Sequence, residues 1–326
     1  MNITSISIKT WAKLGQRGAF FGVALPEIAQ NKSNLKLLTA DLALLSGMDR
    51  FKNSNPEKFL NVGIAEQNMI GIAAGLAMDG YCVFATTYAS FIAVRSLEHV
   101  RQHLSYMGCN VKIVGTAAGM VAAKSGISHW ATEDIAFTRA LPNLMVFSAA
   151  DGLEAIKMAE FAASTDRPMY IRLSGGTNCP IVYKADYDFE PGRLVQLREG
   201  RIIAIIATGL MVHESMYAAE MLSSAGIECS LYNMHTIKPI DREKLDEIFQ
   251  DYEMIVTVEE HNVVGGMGSA VAEYKATKSN TPKQVFIGVP DAFTEAGSQK
   301  YVWSEVGLTA ELIAERIKKE WENSND

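Results

Sequence analysis

Residues 61–80, NVGIAEQNMIGIAAGLAMDG, decide how the chain is read. One acid, Glu66, stands in a run of apolar and small residues. Gly71, Ala73, Ala74, Gly75 and Ala77 give the helix expected over 66–78 a bare face for close packing, and Gly80 supplies its C-terminal stop. Asn61-Val62-Gly63-Ile64 reads as the end of a strand. Glu66 is therefore expected at a helix N-terminus, where the helix dipole favours an anion. Burial against Ile64, Ile70 and Ile72 is expected to oppose that and raise its pKa. A carboxyl held between the two effects exchanges protons near neutral pH. Capping alone is the simpler alternative reading of the same residue.

The flanking segments extend this unit into an alternating series. Strands are expected at 35–39, 59–62, 81–85, 111–115, 144–148 and 168–173. Helices are expected at 7–30, 66–78, 91–105, 133–140 and 152–164. Strands alternating with helices define a parallel α/β sheet. The pattern breaks over 174–200, which holds Gly175-Gly176, Pro180 and Pro191-Gly192. A second series follows, with strands at 201–208, 228–233, 254–259 and 284–288 and helices at 213–225, 241–249, 267–277 and 308–322. The expected fold class is α/β: two consecutive parallel or mixed-sheet domains. Their bounds are 1–180 and 201–326, with a linker over 181–200 and a frayed polar tail over 322–326.

Composition narrows the function classes. The 326 residues are 48% hydrophobic and 21% charged, with a net charge of −7 and no long basic run. Nucleic-acid and anionic-membrane partners are disfavoured. Cys82, Cys109, Cys179 and Cys229 are scattered without a CxxC pair, so neither a metal cluster nor a disulfide framework is expected. No apolar run is long enough to span a membrane. The N-terminal stretch lacks an apolar leader, and a cytoplasmic location is expected.

Three further stretches carry candidate chemistry. In 86–101, TTYASFIAVRSLEHVR, Tyr88 and Phe91 stand three apart and offer an aromatic wall to a ring-shaped ligand; a core role is the competing reading. Arg95 is expected to pair with Glu98 along the helix. The Gly/Ser/Ala-rich loop 115–134 carries His129 after a strand, where open α/β sheets bind ligands. In 256–273, the turn Gly265-Gly266-Met267-Gly268-Ser269 lies between a strand and a helix. Its GGxGS spacing matches neither dinucleotide nor P-loop patterns, and close helix packing is the simpler reading.

Together these stretches resemble the C-terminal half of a transketolase, of the kind carried as a separate subunit. The resemblance covers nearly the whole chain. It is strongest in GIAEQNMIGIAAGLAMDG (63–80), TTYASFIAVR (86–95), SGISHWATEDIAFTRALPNLMVFSAADGLEA (125–155), YNMHTIKPID (232–241) and VEEHNVVGGMGSAV (258–271). The resemblance implies a thiamine diphosphate-binding domain of the pyrimidine-binding type, followed by a transketolase C-terminal domain. It implies that Glu66 hydrogen-bonds the pyrimidine ring nitrogen and stabilises the imino tautomer. Phe91 and Tyr88 match the aromatics that stack on that ring. His129 matches a residue lining the substrate channel, and Asp41 an acid near the cofactor at a subunit interface.

The family's GDG…N metal-binding motif is missing from this sequence. The diphosphate and Mg2+ are therefore expected to be held mainly by a partner, an N-terminal transketolase subunit, in an α2β2 assembly. The starting methionine and the helix before the first strand agree with a separate chain. Ala117, Ser125 and Gly175-Gly176 stand where phosphorylated-sugar transketolases carry a His, an Asp and an Arg. Lys124 and Arg172 are the nearby cations expected to compensate, so Ser125 and Arg172 join His129 as candidate substrate contacts. Deoxyxylulose-phosphate synthases and 2-oxoacid dehydrogenase β-subunits share the same order of elements and stand as the alternative function. A nucleotide-binding or scaffolding protein using Gly265–Ser269 is the third.

Overall fold

The computed structural model describes residues 1–325. Six strands build the first domain: β1 (Leu35–Thr39), β2 (Phe59–Asn61), β3 (Cys82–Tyr88), β4 (Val111–Thr116), β5 (Met145–Ser148) and β6 (Met169–Leu173). The second domain contributes β7 (Val195–Arg198), β8 (Ile203–Ala207), β9 (Cys229–Asn233), β10 (Thr236–Lys238), β11 (Met254–Asn262) and β12 (Lys283–Val289). The first sheet runs β10-β5-β6-β4-β3-β1-β2 and the second β12-β11-β8-β9-β7. All pairings are parallel except at β10 and β7, the antiparallel edges.

Side chains alternate across these sheets, as period-two strands require. Leu35, Leu37 and Phe84 enter one apolar layer with Ile203 and Ile205 of the second domain. Leu38, Val83 and Ala85 enter the opposite layer with Ala204 and Ile206. Each layer therefore runs through both domains. β10 reinforces this continuity: Thr236 pairs with Phe147, and Ser148 N donates to His235 O at 2.9 Å. The second domain thus supplies a strand to the first domain's sheet.

Several expectations need correction. The helix expected over 7–30 is broken. Ser5–Ala19 has a non-helical residue at Gly15 (φ 75°), a π-type turn follows at Phe20–Ala24, and Leu25–Asn31 completes the run. The cause is close approach: a Cβ on Gly15 would lie 2.0 Å from the carbonyl oxygen of Gly176. The helix expected over 91–105 is a set of π-type turns around the short helix Leu97–His99. β3 is longer than expected and ends on Tyr88, so Tyr88 and Phe91 do not share a helix. Val195–Arg198, inside the expected linker, is a strand, and Gln299–Glu305 is an unexpected helix. Of the expected tail, 322–325 continue the helix Ala310–Asn325, and Asp326 lies outside the described residues. Among the described residues no helix is long and apolar enough to cross a membrane.

Candidate active site

The candidate residues come from segments at the carboxyl ends of neighbouring strands, the binding edge of an open α/β sheet. Glu66 is the first residue of the helix Glu66–Met78, with Ala65 as its N-cap. Gly80 follows at φ 88°, the left-handed stop expected there. The Glu66 side chain is 5% exposed. Ile70 is buried, but Ile64 is 78% exposed and Ile72 half-buried, so the apolar shelter is narrower than the sequence implied.

Arg95 supplies the contact that sequence reasoning missed. Its Nη1 lies 2.9 Å from Glu66 Oε1, and its guanidinium sits 4.1 Å from the centroid of the Phe91 ring. Glu98, its expected partner, pairs with Arg101 instead. The signal was present: Phe91 and Arg95 stand four apart in TTYASFIAVR, the spacing that stacks a cation over a ring within one turn.

Phe91 then meets His129, with ring centres 5.6 Å apart, and Tyr88 meets both, at 5.8 Å from Phe91 and 5.9 Å from His129. These tilted and edge-on contacts are the favoured arrangements of aromatic rings. Ser128 Oγ lies 2.9 Å from His129 Nδ1, and Ser90 Oγ donates to the His129 carbonyl at 3.3 Å. A continuous group results, running Glu66, Arg95, Phe91, His129 and Tyr88. Beside it opens a cleft of about 400 Å3 lined by Phe91, Val94, Arg95, Ile127, Phe137 and Phe293. Phe293 is 79% exposed, and Leu44 and Ile64 also stand open.

The other expected residues stand apart from this group. Asp41 adopts φ 62° and accepts from Asn61 Nδ2 at 2.9 Å, at the exposed end of β1. Ser125 is exposed on the His129 loop, its carbonyl accepting from Ser128 Oγ at 3.4 Å. Arg172 is a correction. It is 1% exposed, paired through Nε with Asp134 Oδ2 at 2.8 Å, and donates from Nη2 to Glu260 O at 2.8 Å and Ala131 O at 3.3 Å. A guanidinium so enclosed braces the sheet, with its bonds spent on Asp134, Ala131 and Glu260. Such a buried pair costs about 3–5 kcal/mol to break from one side.

The Gly265–Ser269 turn is filled by its own chain. Glu259 accepts from Met267 N at 2.6 Å and Gly268 N at 2.8 Å, while Gly265 N donates to Ser269 Oγ at 2.9 Å. Burial pushes the Glu259 carboxyl up to about 7, against the pull of those backbone donors. The N–H groups that a phosphate would take are already engaged. Among the described residues, no three His, Cys, Asp or Glu side chains gather as a metal site.

Known proteins with this architecture identify the family. Residues 17–178 match "Transketolase, pyrimidine binding domain" and residues 192–313 match "Transketolase, C-terminal domain". The chain is 38% identical to a "Putative transketolase C-terminal section" of Methanocaldococcus jannaschii, over 92% of this chain and 94% of that one. It is 36% identical to the "6-deoxy-6-sulfo-D-fructose transketolase subunit SqwH" of Clostridium sp., over 92% and 93%. A solved "Split gene transketolase, inactive beta4 tetramer" superposes with a TM-score of 0.84 at 40% identity, over 94% of this chain and 97% of that one. The chain belongs to the transketolase family. Within that family it is a C-terminal-type subunit of a split enzyme.

Proposed function

We propose that this chain is the pyrimidine-gripping half of a two-subunit transketolase that moves a two-carbon ketol unit between sugars or sugar-like molecules. The observation that carries the reading is the convergence of one sheltered carboxylate, Glu66, with the rings of Phe91, Tyr88 and His129. An acid beside a ring wall suits a flat nitrogen heterocycle such as the aminopyrimidine of thiamine diphosphate. When bound, that cofactor supplies the electron sink for breaking and remaking the carbon–carbon bond.

The chain's own residues have separable tasks. Glu66 hydrogen-bonds the ring nitrogen and holds or yields a proton there. Arg95 steadies the carboxylate from one side, at Oε1. Phe91 and Tyr88 orient the ring by stacking. His129 faces the donor's hydroxyl groups, and Asp41 stands near the cofactor at the subunit boundary. In this reading a partner brings the diphosphate and Mg2+ site. The exposed Leu44, Ile64 and Phe293 fit a surface that such a partner covers. Active sites built between subunits make an α2β2 heterotetramer the assembly of this reading. The similar β4 tetramer is described as inactive, which agrees with a chain completed by its partner. The engaged N–H groups of the Gly265–Ser269 turn weigh against a nucleotide-binding role.

The substrate departs from the usual pentose phosphates in this reading. Ala117 and Gly175-Gly176 offer no cation and Arg172 is enclosed, which leaves Lys124 as the exposed one of the two compensating cations. Each missing charge-assisted phosphate contact is worth about 1.5–3 kcal/mol. One similar subunit is named for a sulfo-sugar, an anionic sugar outside the usual pentose phosphates. Turnover of the assembled complex with xylulose 5-phosphate and ribose 5-phosphate tests it. Poor rates are expected; ordinary efficiency refutes the substrate assignment. In the same complex, Glu66→Gln should lower kcat by about 10²–10⁴-fold, the usual contribution of a positioned acid or base.

A further inference from the structure

The loop that carries Ser125 and His129 has a narrow neck. Gly119 N donates to Ala131 O at 3.1 Å, and Ala131 N returns a bond to Gly119 O at 2.9 Å. What clamps this neck belongs to the second domain. Glu260, on β11 and 1% exposed, accepts at Oε1 from Met120 N at 3.0 Å and from Trp303 Nε1 at 2.7 Å. Gly119 stands at φ 67°, and a Cβ there would lie 2.3 Å from Glu260 Oε2. The carboxylate thus lies directly against the neck, leaving no room for a side chain. Two further bonds come from the same strand. Asn262 N donates to Thr132 O at 2.7 Å, and Arg172 Nη2 bridges the carbonyl of Glu260 to that of Ala131.

We propose that Glu260 is a positioning residue for the His129 loop: the second domain, which lies outside the pyrimidine group, sets where His129 stands. Trp303 fixes the carboxylate by donating to the same oxygen that receives Met120 N. The helix Gln299–Glu305 is thereby coupled to the loop, and Gly297 N adds a bond to Ala123 O at 3.3 Å. Both bonds converge on Oε1, while Oε2 is buried without a hydrogen-bond partner beside Gly119. Loss of the acceptor leaves Met120 N buried without a partner and frees the neck to shift. A shift there moves a ring that must hold its distance to Phe91 and Tyr88. This inference rests on the reading of His129 as a donor contact, and the test separates the two.

Three variants of the full chain suffice: Glu260→Ala, Glu260→Gln and Trp303→Phe. Hydrogen exchange on the full chain reads the loop without reference to catalysis. Glu260→Ala should speed exchange over 119–131 by about tenfold or more, with the rest of the first sheet unchanged. In the assembled enzyme it should lower kcat/KM for the ketol donor by about tenfold or more, with thiamine diphosphate affinity held within about twofold. Glu260→Gln keeps an acceptor for Met120 N and should stay within about threefold of wild type. Trp303→Phe removes the donor that fixes the carboxylate and should fall between wild type and Glu260→Ala in both readouts. Unchanged exchange over 119–131 overturns the proposal, as does a loss of cofactor affinity in step with kcat/KM. Faster exchange with unchanged donor kinetics also overturns it, and locates the error in the role given to His129. Glu260→Met, which keeps the volume without an acceptor, replaces the alanine variant if that chain does not fold. Failure of both to fold shows a fold determinant and overturns the positioning role.

Discussion

Glu66 and Glu259 are both buried carboxylates at helix starts, yet their surroundings differ in the respect that decides function. Glu66 opens the helix Glu66–Met78 with one oxygen held by a half-exposed arginine that also lies over the Phe91 ring. Glu259 reaches from β11 to the start of the helix Met267–Lys275 and spends both oxygens on that helix's own N–H groups. The first is held at one oxygen by a side chain; the second cancels the helix end from within. A helix N-terminus becomes a binding site only where the chain itself leaves it open.

Matched substitutions should break this comparison if it is wrong. Glu66→Gln carries the largest expected effect, the activity loss given above, yet should change unfolding free energy by less than about 1 kcal/mol, because its charged contact is to a half-exposed side chain. Glu259→Gln should do the reverse. It turns an amide NH2 toward one of the two buried N–H groups and leaves that donor unpaired, at about 1–3 kcal/mol by denaturant unfolding, while the folded complex keeps its kcat. If both variants lose stability alike, the distinction between the two sites fails.

The pH dependence sharpens the Glu259 side. Its folded pKa is raised to about 7, chiefly by burial. A raised carboxyl contributes most stability below its unfolded value near 4.5 and loses that contribution as pH rises through about 7. The stability margin of wild type over Glu259→Gln should therefore shrink from pH 5 to pH 8. His235 and His261, lowered to about 4 by burial, act in the opposite sense in the whole chain but cancel in this difference. A margin that grows with pH contradicts the assignment. The smallest effect is expected at Arg95. Arg95→Met removes a half-exposed partner and should cost less than about 1 kcal/mol, with the difference fading at high salt.

Local patterns carried much of this architecture. Short continuous apolar runs marked the parallel strands, and Gly80 marked the end of the Glu66 helix, because both depend on neighbours in sequence. The grouping of Phe91 with His129 required the loop's placement after β4, which the strand order implied. What stayed hidden depends on distant partners. β10 is three residues long and exists because β5, some ninety positions earlier, offers an open edge. Arg172 looks like an ordinary cation in sequence; Asp134 and the carbonyls of Ala131 and Glu260 enclose it. The break at Gly15 is dictated by the backbone of Gly176. No propensity within either segment encodes those encounters.

In the proposed enzyme a heterocycle is gripped by Glu66 and the neighbouring rings while another polypeptide holds the charged end of the same molecule. Calorimetric titration of Mg2+ and thiamine diphosphate into this chain alone, and then into the chain assembled with its N-terminal-type subunit, tests that division directly. Saturable binding is predicted in the assembly and none in the lone chain. Equal affinity in both would contradict it.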